Sequence, residues 1–290
     1  TKITTNSIKS YNIKFEKTLF IFYYFIYSTH KFMYRLQKSL AVHKKKSVQQ
    51  LTAACRLCLN SLVNNSDCSN ATKDYFLGKE PSHPFPVFMS IIEPLVKNIE
   101  YSHDLEQIVA DYMNAVMTLA ICQHEQDPEM YVSHDFRHSI EVDRYATELF
   151  KQLPKFRSTC LNFLKSVDTN QLNEETILNY SEFLLRTACY EHDIGYPLQA
   201  KRGLSKASHA IIGAQESQEH IANKRRAFLK KIGMPDDIID LVISKINDLI
   251  LNHNADVKTE LPKVAKEKVE LPFGFLHTRE NHKNILRKAY

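Results

Sequence analysis

The chain has 290 residues, enough for one large domain or two small ones. Hydrophobic residues make up 43% and charged residues 24%, which excludes a disordered chain and is ordinary for a globular protein with a buried core. The net charge of +5 is too small to indicate a nucleic-acid-binding surface.

The first 32 residues differ in composition from the rest of the chain. Residues 19–27 form an apolar run of nine residues, which is too short to span a bilayer. No small-residue cleavage site follows this run, so a signal peptide is not indicated. Lys, Ile, Phe, Tyr and Asn dominate the stretch, as they do in translated AT-rich DNA. We therefore expect Met33 to be the start and residues 1–32 to be a read-through leader, and we expect no membrane partner.

Residues 33–85 are predicted to form an N-terminal helix and a polar connector. Between Tyr34 and Leu62, basic residues alternate with Leu, Val and Ala at helical spacing. The following stretch is rich in Asn, Ser and Pro and is the best candidate for a domain boundary. Residues 86–290 would then form the main domain.

From Pro86 onward the hydrophobic pattern is helical. Helices are predicted over residues 87–100, 105–124, 135–153, 156–167, 172–192, 206–231 and 235–253, with a loop over 195–205. Ser133 is the predicted N-cap of the helix that begins at residue 135. No stretch alternates as a β-strand does. The sequence therefore predicts an all-α bundle.

The cysteine count indicates a reducing compartment. Six cysteines in 290 residues do not make a disulfide framework. Cys122, Cys160 and Cys189 fall within apolar runs and are predicted to be buried thiols. Free buried thiols are typical of the cytosol, so the sequence indicates a cytoplasmic protein.

An adjacent histidine and aspartate, His192 and Asp193, stand at the end of an apolar helical run. Gly195 and Pro197 follow and are expected to end that helix. The two side chains can converge on one cation, because the backbone turns where the helix terminates. A neutral nitrogen with an anionic oxygen suits zinc, iron or manganese better than calcium.

Three further histidines lie at or near the ends of other predicted helices. His138 and His209 stand near the starts of two helices, and His253 closes a third. Four helices could therefore present ligands to one centre, and bundle cores are where such metal sites are built.

The ordered set resembles the His…His-Asp…Asp signature of the HD-domain metal-dependent phosphohydrolases. The His-Asp-Ile-Gly form, with His209 in His-x-x-x-Gly-Ala and with Ile250-Leu251-Asn252-His253, is similar to the bacterial HD and HD-GYP branches. His134, one turn before His138, resembles the first histidine of the His-Asn-x-x-His segment of cyclic-nucleotide phosphodiesterases. The resemblance covers roughly Tyr131 to the C-terminus.

The resemblance implies an HD-domain-like helical bundle that acts as a metal-dependent phosphohydrolase or phosphodiesterase on a nucleotide or related phosphate ester. One divalent transition-metal ion (Mn, Fe or Zn, or Ni or Co in vitro) would be bound by His138, His192 and Asp193. His209 and His253 are candidate ligands of a second ion that Asp193 could bridge, or else helix-capping or substrate-contacting residues. Two ions about 3.5–4 Å apart can clamp a hydroxide and a phosphate together.

Three residues have candidate roles beside the metal. His134 can share a helix face with His138 and protonate a leaving alkoxide, and the alternative is that it only supports a ligand or lies on the surface at the start of the helix. Lys201 and Arg202, in the predicted loop, are candidate phosphate contacts, and the alternative is that they only solvate the loop.

The chain departs from the family at the last ligand, an Asp on a late helix, because no Asp follows in residues 284–290. We expect the sequence to be cut before that ligand. Alternatively, Asp256 or Asp248 replaces it, or the site is degenerate. In the last case the chain would be a catalytically inactive HD-type domain that senses a nucleotide or docks a partner. The substrate, the number of ions and the oligomeric state stay open.

Overall fold

The computed structural model describes residues 47–125, 135–164, 172–201 and 208–253. Apart from Ser47, these residues belong to the compact unit Val48–Tyr290. The predicted leader, residues 1–32, lies outside the described residues.

Helices make up the fold, and the described ranges contain no strand. In chain order the helices are α1 (residues 47–65), α2 (Asn70–Leu77), α3 (Pro84–Val96), α4 (His103–His124), α5 (Phe136–Gln152), α6 (Pro154–Leu161), α7 (Glu174–Glu191), α8 (Tyr196–Lys201), α9 (His209–Glu216), α10 (Ala222–Lys231) and α11 (Asp236–Asn252). A 3₁₀ turn, Asn162–Leu164, follows α6, and a π-helical turn, Ser217–Ile221, joins α9 to α10. The predicted all-α class is confirmed.

Two segments that were predicted as irregular contain helices. The predicted loop 195–205 begins with α8, because a proline in the first turn of a helix has no hydrogen bond to lose and Pro197 occupies that place. The polar connector contains α2, which begins where the Thr72 N–H donates to the Ser69 hydroxyl at 3.2 Å. The buried Phe76 holds α2 on the core.

Local hydrogen bonds start the two helices that carry the first site residues. The N-cap of α5 is Asp135 rather than Ser133, because the Arg137 N–H donates to Asp135 Oδ1 at 2.9 Å. At α7 the Thr176 N–H donates to Asn173 Oδ1 at 2.8 Å. Side-chain caps of this kind satisfy backbone donors that a helix leaves unpaired at its start.

Helix α7 lies at the centre of the bundle and packs against α3, α5, α6 and α11. Its apolar residues, among them Phe183, Leu184 and Tyr190, are buried in the main core. The same core includes Leu51 of α1 and Phe76 of α2, so the segment before residue 86 packs on the helices that follow it. No described helix combines the length and the hydropathy that a membrane crossing requires.

The cysteines are free, and the prediction for one of them is wrong. Cys160 is buried and Cys189 half-buried, but Cys122 is exposed because it lies on the outer face of α4 near its end.

Two glycines allow the turn after α7 to lie directly on the backbone of α9. A Cβ at Gly195 would be 2.1 Å from the carbonyl oxygen of His209 and 2.3 Å from the nitrogen of Gly213. No other residue fits there without moving backbone. This close approach places Asp193 beside the first residue of α9.

Candidate metal centre

Four helices each bring one or more polar side chains to a common point. His138 lies in the first turn of α5, His192 is the C-cap of α7, and His209 is the first residue of α9. His253 is the C-cap of α11, and Asp193 follows His192 directly. The structure therefore brings together all five residues that were predicted as metal ligands, which we call the His/Asp cluster.

The Asp193 carboxylate lies at the middle of the cluster and divides it into two sides. On the Oδ2 side, Oδ2 lies 3.1 Å from His192 Nε2 and 3.8 Å from His138 Nε2. On the Oδ1 side, Oδ1 lies 3.4 Å from His209 Nε2 and 3.4 Å from His253 Nε2. Each carboxylate oxygen thus faces its own pair of imidazoles.

Each side has the composition and the spacing of a metal site. In both groups of three residues, the candidate ligand atoms lie within 4.8 Å of one another. Donor atoms that bind one transition-metal ion at about 2.0–2.2 Å lie roughly 3–4 Å apart. Small side-chain adjustments would bring either group onto one ion, so the cluster could hold a metal on each side.

Hydrogen bonds at the far ring nitrogens point the near nitrogens into the cluster. His192 Nδ1 lies 2.8 Å from the Cys189 carbonyl oxygen, and His253 Nδ1 lies 2.5 Å from the Ile250 carbonyl oxygen. Because a carbonyl only accepts, the proton of each neutral ring is at Nδ1 and the Nε2 lone pair faces Asp193. Metal-binding histidines in general donate their other N–H in this way.

The inward lone pairs repel one another unless a cation or a proton lies between them. His209 Nε2 and His253 Nε2 are 2.7 Å apart, a contact that requires a proton on one nitrogen or a metal ion shared by both. A neutral His209 ring with its proton on Nε2 satisfies this contact by donating to the His253 lone pair, and a metal ion bound by both nitrogens would satisfy it as well.

Burial and the charge of Asp193 act together on two imidazoles, and the pKa of His192 is raised whereas the pKa of His253 is lowered. Burial alone would lower the pKa of His192, but the hydrogen bond to Asp193 and the charge of Asp193 together raise it above its ordinary value. For His253, burial is the larger influence and lowers the pKa, so that this ring is neutral at neutral pH.

The cluster is buried at its centre and open at two edges. Asp193 is 1% exposed and His209 5% exposed, and the His209 ring stacks on Tyr196 at 4.0 Å between centroids. The side chains of His138 and His253 are 35% and 23% exposed. The solvent-exposed edge of each side is therefore a histidine ring, His138 on the Oδ2 side and His253 on the Oδ1 side.

The remaining predicted site residues are not part of the described cluster. His134, Arg202 and Asp256 lie outside the described residues, and Lys201 is the last residue of α8. Asp248, a predicted replacement for the last ligand, is buried but belongs to neither group of candidate ligands, and its Oδ2 lies 3.5 Å from Lys245 Nζ.

Sequence reasoning missed a buried acid beside the cluster. Glu191 directly precedes His192, is 1% exposed and forms an ion pair with Arg225 of α10. A glutamate between Tyr190 and His192 in an apolar run was an available signal of burial. Arg225 gave no signal, because it lies in a basic run that is typical of a solvated helix face.

None of the protein-family models, curated proteins or solved structures that we compared with the chain matches it. By its own residues, the chain is an all-α protein with a buried His/Asp cluster that could hold a metal ion.

Proposed function

We propose that the chain is a metal-dependent phosphoric ester hydrolase of the HD type, which cleaves a nucleotide or a related phosphate ester with a metal-activated water. The observation that carries this proposal is the position of the Asp193 carboxylate. It directs one oxygen to His138 and His192 and the other to His209 and His253. A carboxylate between two imidazole pairs is suited to bridge two ions.

The number of ligands supports a catalytic rather than a structural site. Each side offers two imidazoles and one carboxylate oxygen, which are three protein ligands. Structural zinc sites have four protein ligands, whereas catalytic sites have three and keep a position open for water or substrate. The partly exposed side chains of His138 and His253 agree with a site of the open kind.

The ligand types also restrict the metal and the reaction. Nitrogen and carboxylate donors without a thiolate suit Mn, Fe, Zn, Co or Ni. A divalent ion held there by these residues would lower the pKa of a bound water and would polarise a phosphoryl oxygen. Cleavage of a phosphate ester mainly requires positive charge and alignment, so it fits this site better than reactions that need a protein nucleophile.

The residues of the cluster have distinct tasks in this proposal. His192 and His253 present fixed Nε2 lone pairs, because their Nδ1 protons are held by backbone carbonyls. Asp193 supplies negative charge to both sides and is kept from water by burial. Protonation of the leaving group by His134 and phosphate contacts by Lys201 and Arg202 stay predictions from the sequence.

The test is metal analysis combined with turnover. The chain is stripped with a chelator and reloaded separately with Mn(II), Fe(II), Zn(II) and Co(II). Hydrolysis of bis(p-nitrophenyl) phosphate and of cyclic and linear nucleotides is then measured. We expect one or two ions per chain and hydrolysis only with metal. The control is His220→Ala, because His220 has a mostly exposed side chain paired with Glu216 outside the cluster.

This test distinguishes the hydrolase from the inactive domain that the sequence leaves open as the alternative. Full metal loading without turnover of any ester would overturn the hydrolase and support an inactive domain that senses a nucleotide or docks a partner. Absence of bound metal at neutral pH would reject the metal centre itself.

A further inference from the structure

A fully buried ion pair adjoins the residues that lead into the cluster. The Glu191 carboxylate pairs with the Arg225 guanidinium, and Arg225 is 0% exposed. The Ser217 hydroxyl donates to the same oxygen, Glu191 Oε2, at 3.1 Å. Arg225 Nε in turn donates to the Tyr112 hydroxyl of α4 at 3.3 Å. The last residue of α7 is thus tied to α10, to α4 and to the π-helical turn that continues α9.

The π-helical turn explains how Ser217 and Arg225 reach the same carboxylate. The two residues are eight apart, and in a regular α-helix such residues point about 80° away from each other. Here the Ala222 N–H donates to the Ser217 carbonyl, five residues back. That turn takes up one additional residue, which reduces the angle to about 20°. Both side chains then lie on the face toward Glu191.

Stability alone does not account for this pair. Removal of two charges from water costs free energy that only complete hydrogen bonding offsets. Among the described residues, Glu191 Oε1 and Arg225 Nη1 have no hydrogen-bond partner. In other proteins, apolar side chains of similar volume often serve folding equally well in place of such a pair.

We propose that Arg225 and Ser217 are positioning residues, which hold Glu191 so that the turn after α7 presents His192 and Asp193 to His209. Glu191 is bonded to His192 through the backbone, and Ser217 lies in the π-helical turn that continues the helix of His209. The network therefore fixes the two ligand-bearing segments relative to each other. This inference rests on the metal centre of the proposed function, although not on the reaction.

The same helix contains a matched pair that does not adjoin a ligand. Arg186 of α7 donates to both oxygens of Asp143 on α5 at 2.9 Å, and both residues are buried. Arg186 also donates to the Ser90 hydroxyl at 2.7 Å. Each residue of this pair is more than one helical turn from the nearest member of the His/Asp cluster along its own helix.

The experiment compares two double variants of the full chain. In Glu191→Met with Arg225→Met, the positioning network is replaced by apolar side chains. In Asp143→Leu with Arg186→Met, the matched pair is replaced. We measure the melting temperature, the dissociation constant for Mn(II) or Co(II), and the visible spectrum of the Co(II) form, which reports the arrangement of the ligands.

For the network variant we expect a melting temperature close to that of the parent, metal affinity lower by about tenfold or more, and an altered Co(II) spectrum. For the matched variant we expect parental affinity and spectrum. Ser217→Ala retains the ion pair and should have a smaller effect in the same direction. It provides the answer if the network variant does not fold.

Equal metal affinity and identical spectra in the parent, the network variant and Ser217→Ala would overturn the inference while the metal centre stands. A parent that binds no metal would reject the inference together with the metal centre. A parent that binds metal without hydrolysis would reject only the proposed reaction.

Discussion

The two sides of the Asp193 carboxylate are built from the same residue types but differ in compactness. On the Oδ1 side both imidazoles lie 3.4 Å from the oxygen, and their Nε2 atoms are 2.7 Å apart. On the Oδ2 side the two distances are 3.1 and 3.8 Å, and the farther ring, His138, is the most exposed of the four. The Oδ1 side is therefore closer to the geometry that one ion imposes, and the Oδ2 side has the more exposed histidine side chain.

The strongest test of this comparison removes the residue that both sides share. Asp193→Asn keeps the shape of the side chain but removes the charge and one acceptor oxygen. Because the amide keeps one neutral oxygen that can face only one side, both sides lose the negative charge and at least one loses its oxygen ligand, so we expect metal affinity to fall more than about 100-fold and hydrolysis to disappear. Isothermal titration with Mn(II) and metal analysis after dialysis would measure the loss.

The control for Asp193→Asn is Asp248→Asn. Asp248 is also buried, but it faces Lys245 and belongs to neither ligand group. We expect this variant to bind metal as the parent does. Equal losses in the two variants would show that a buried charge in general, rather than the bridging place of Asp193, determines metal binding.

A second test separates the two sides. His209→Gln with His253→Gln removes the imidazoles of the Oδ1 side, and His138→Gln with His192→Gln removes those of the Oδ2 side. Because the Oδ1 side is more compact, we expect it to hold the tighter ion. Each pair of substitutions should leave one ion per chain, with the weaker one remaining after loss of the Oδ1 side. Titrations of the two variants would show this order.

One result would simplify the comparison. If the parent binds a single ion and either double variant abolishes that binding, the five side chains form one mononuclear site. The two sides would then be parts of the same coordination sphere.

The sequence was sufficient to predict the all-α class and the members of the cluster. Histidines and an aspartate inside apolar helical runs are costly to bury, so their ordered recurrence is informative. The division of the cluster could not be predicted, because the oxygen that faces each ring depends on how closely the turn at Gly195 approaches α9.

Two other features needed the structure for different reasons. Helix α8 was predicted as a loop, because Pro197 was interpreted as a helix stop although it occupies a first turn. The burial of Arg225 depends on a π-helical turn, and regular helical periodicity cannot reveal an inserted residue.

Gly195 lets the turn after α7 lie directly on the backbone of α9, and a third test alters this residue. Gly195→Ala would place a Cβ 2.1 Å from the His209 carbonyl oxygen, so backbone must move. We expect the free energy of unfolding to fall by about 2 kcal/mol or more, and metal to bind more weakly. In Gly213→Ala the nearest atoms would be 3.4 Å away, and we expect a smaller loss. Equal melting temperatures for the two variants would contradict the close approach.

The smallest expected effect is a difference in pH dependence between the two sides. Because Asp193 raises the pKa of His192 despite burial, a proton on this ring contributes to the stability of the metal-free protein below the ordinary histidine pKa of about 6.5. That contribution is lost as the pH rises through the raised pKa. A metal ion on the Oδ2 side must displace the proton, so its affinity should increase by about tenfold per pH unit until the pKa is passed.

On the Oδ1 side, burial lowers the pKa of His253, so this ring has no proton to lose near neutral pH. We therefore expect a flatter dependence there between about pH 6 and pH 8. Titrations at several pH values, with the variant that lacks the opposite pair of imidazoles, would measure each side separately. Parallel curves for the two sides would mean that Asp193 influences both pairs equally, and the structural difference between its two oxygens would then have no counterpart in metal binding.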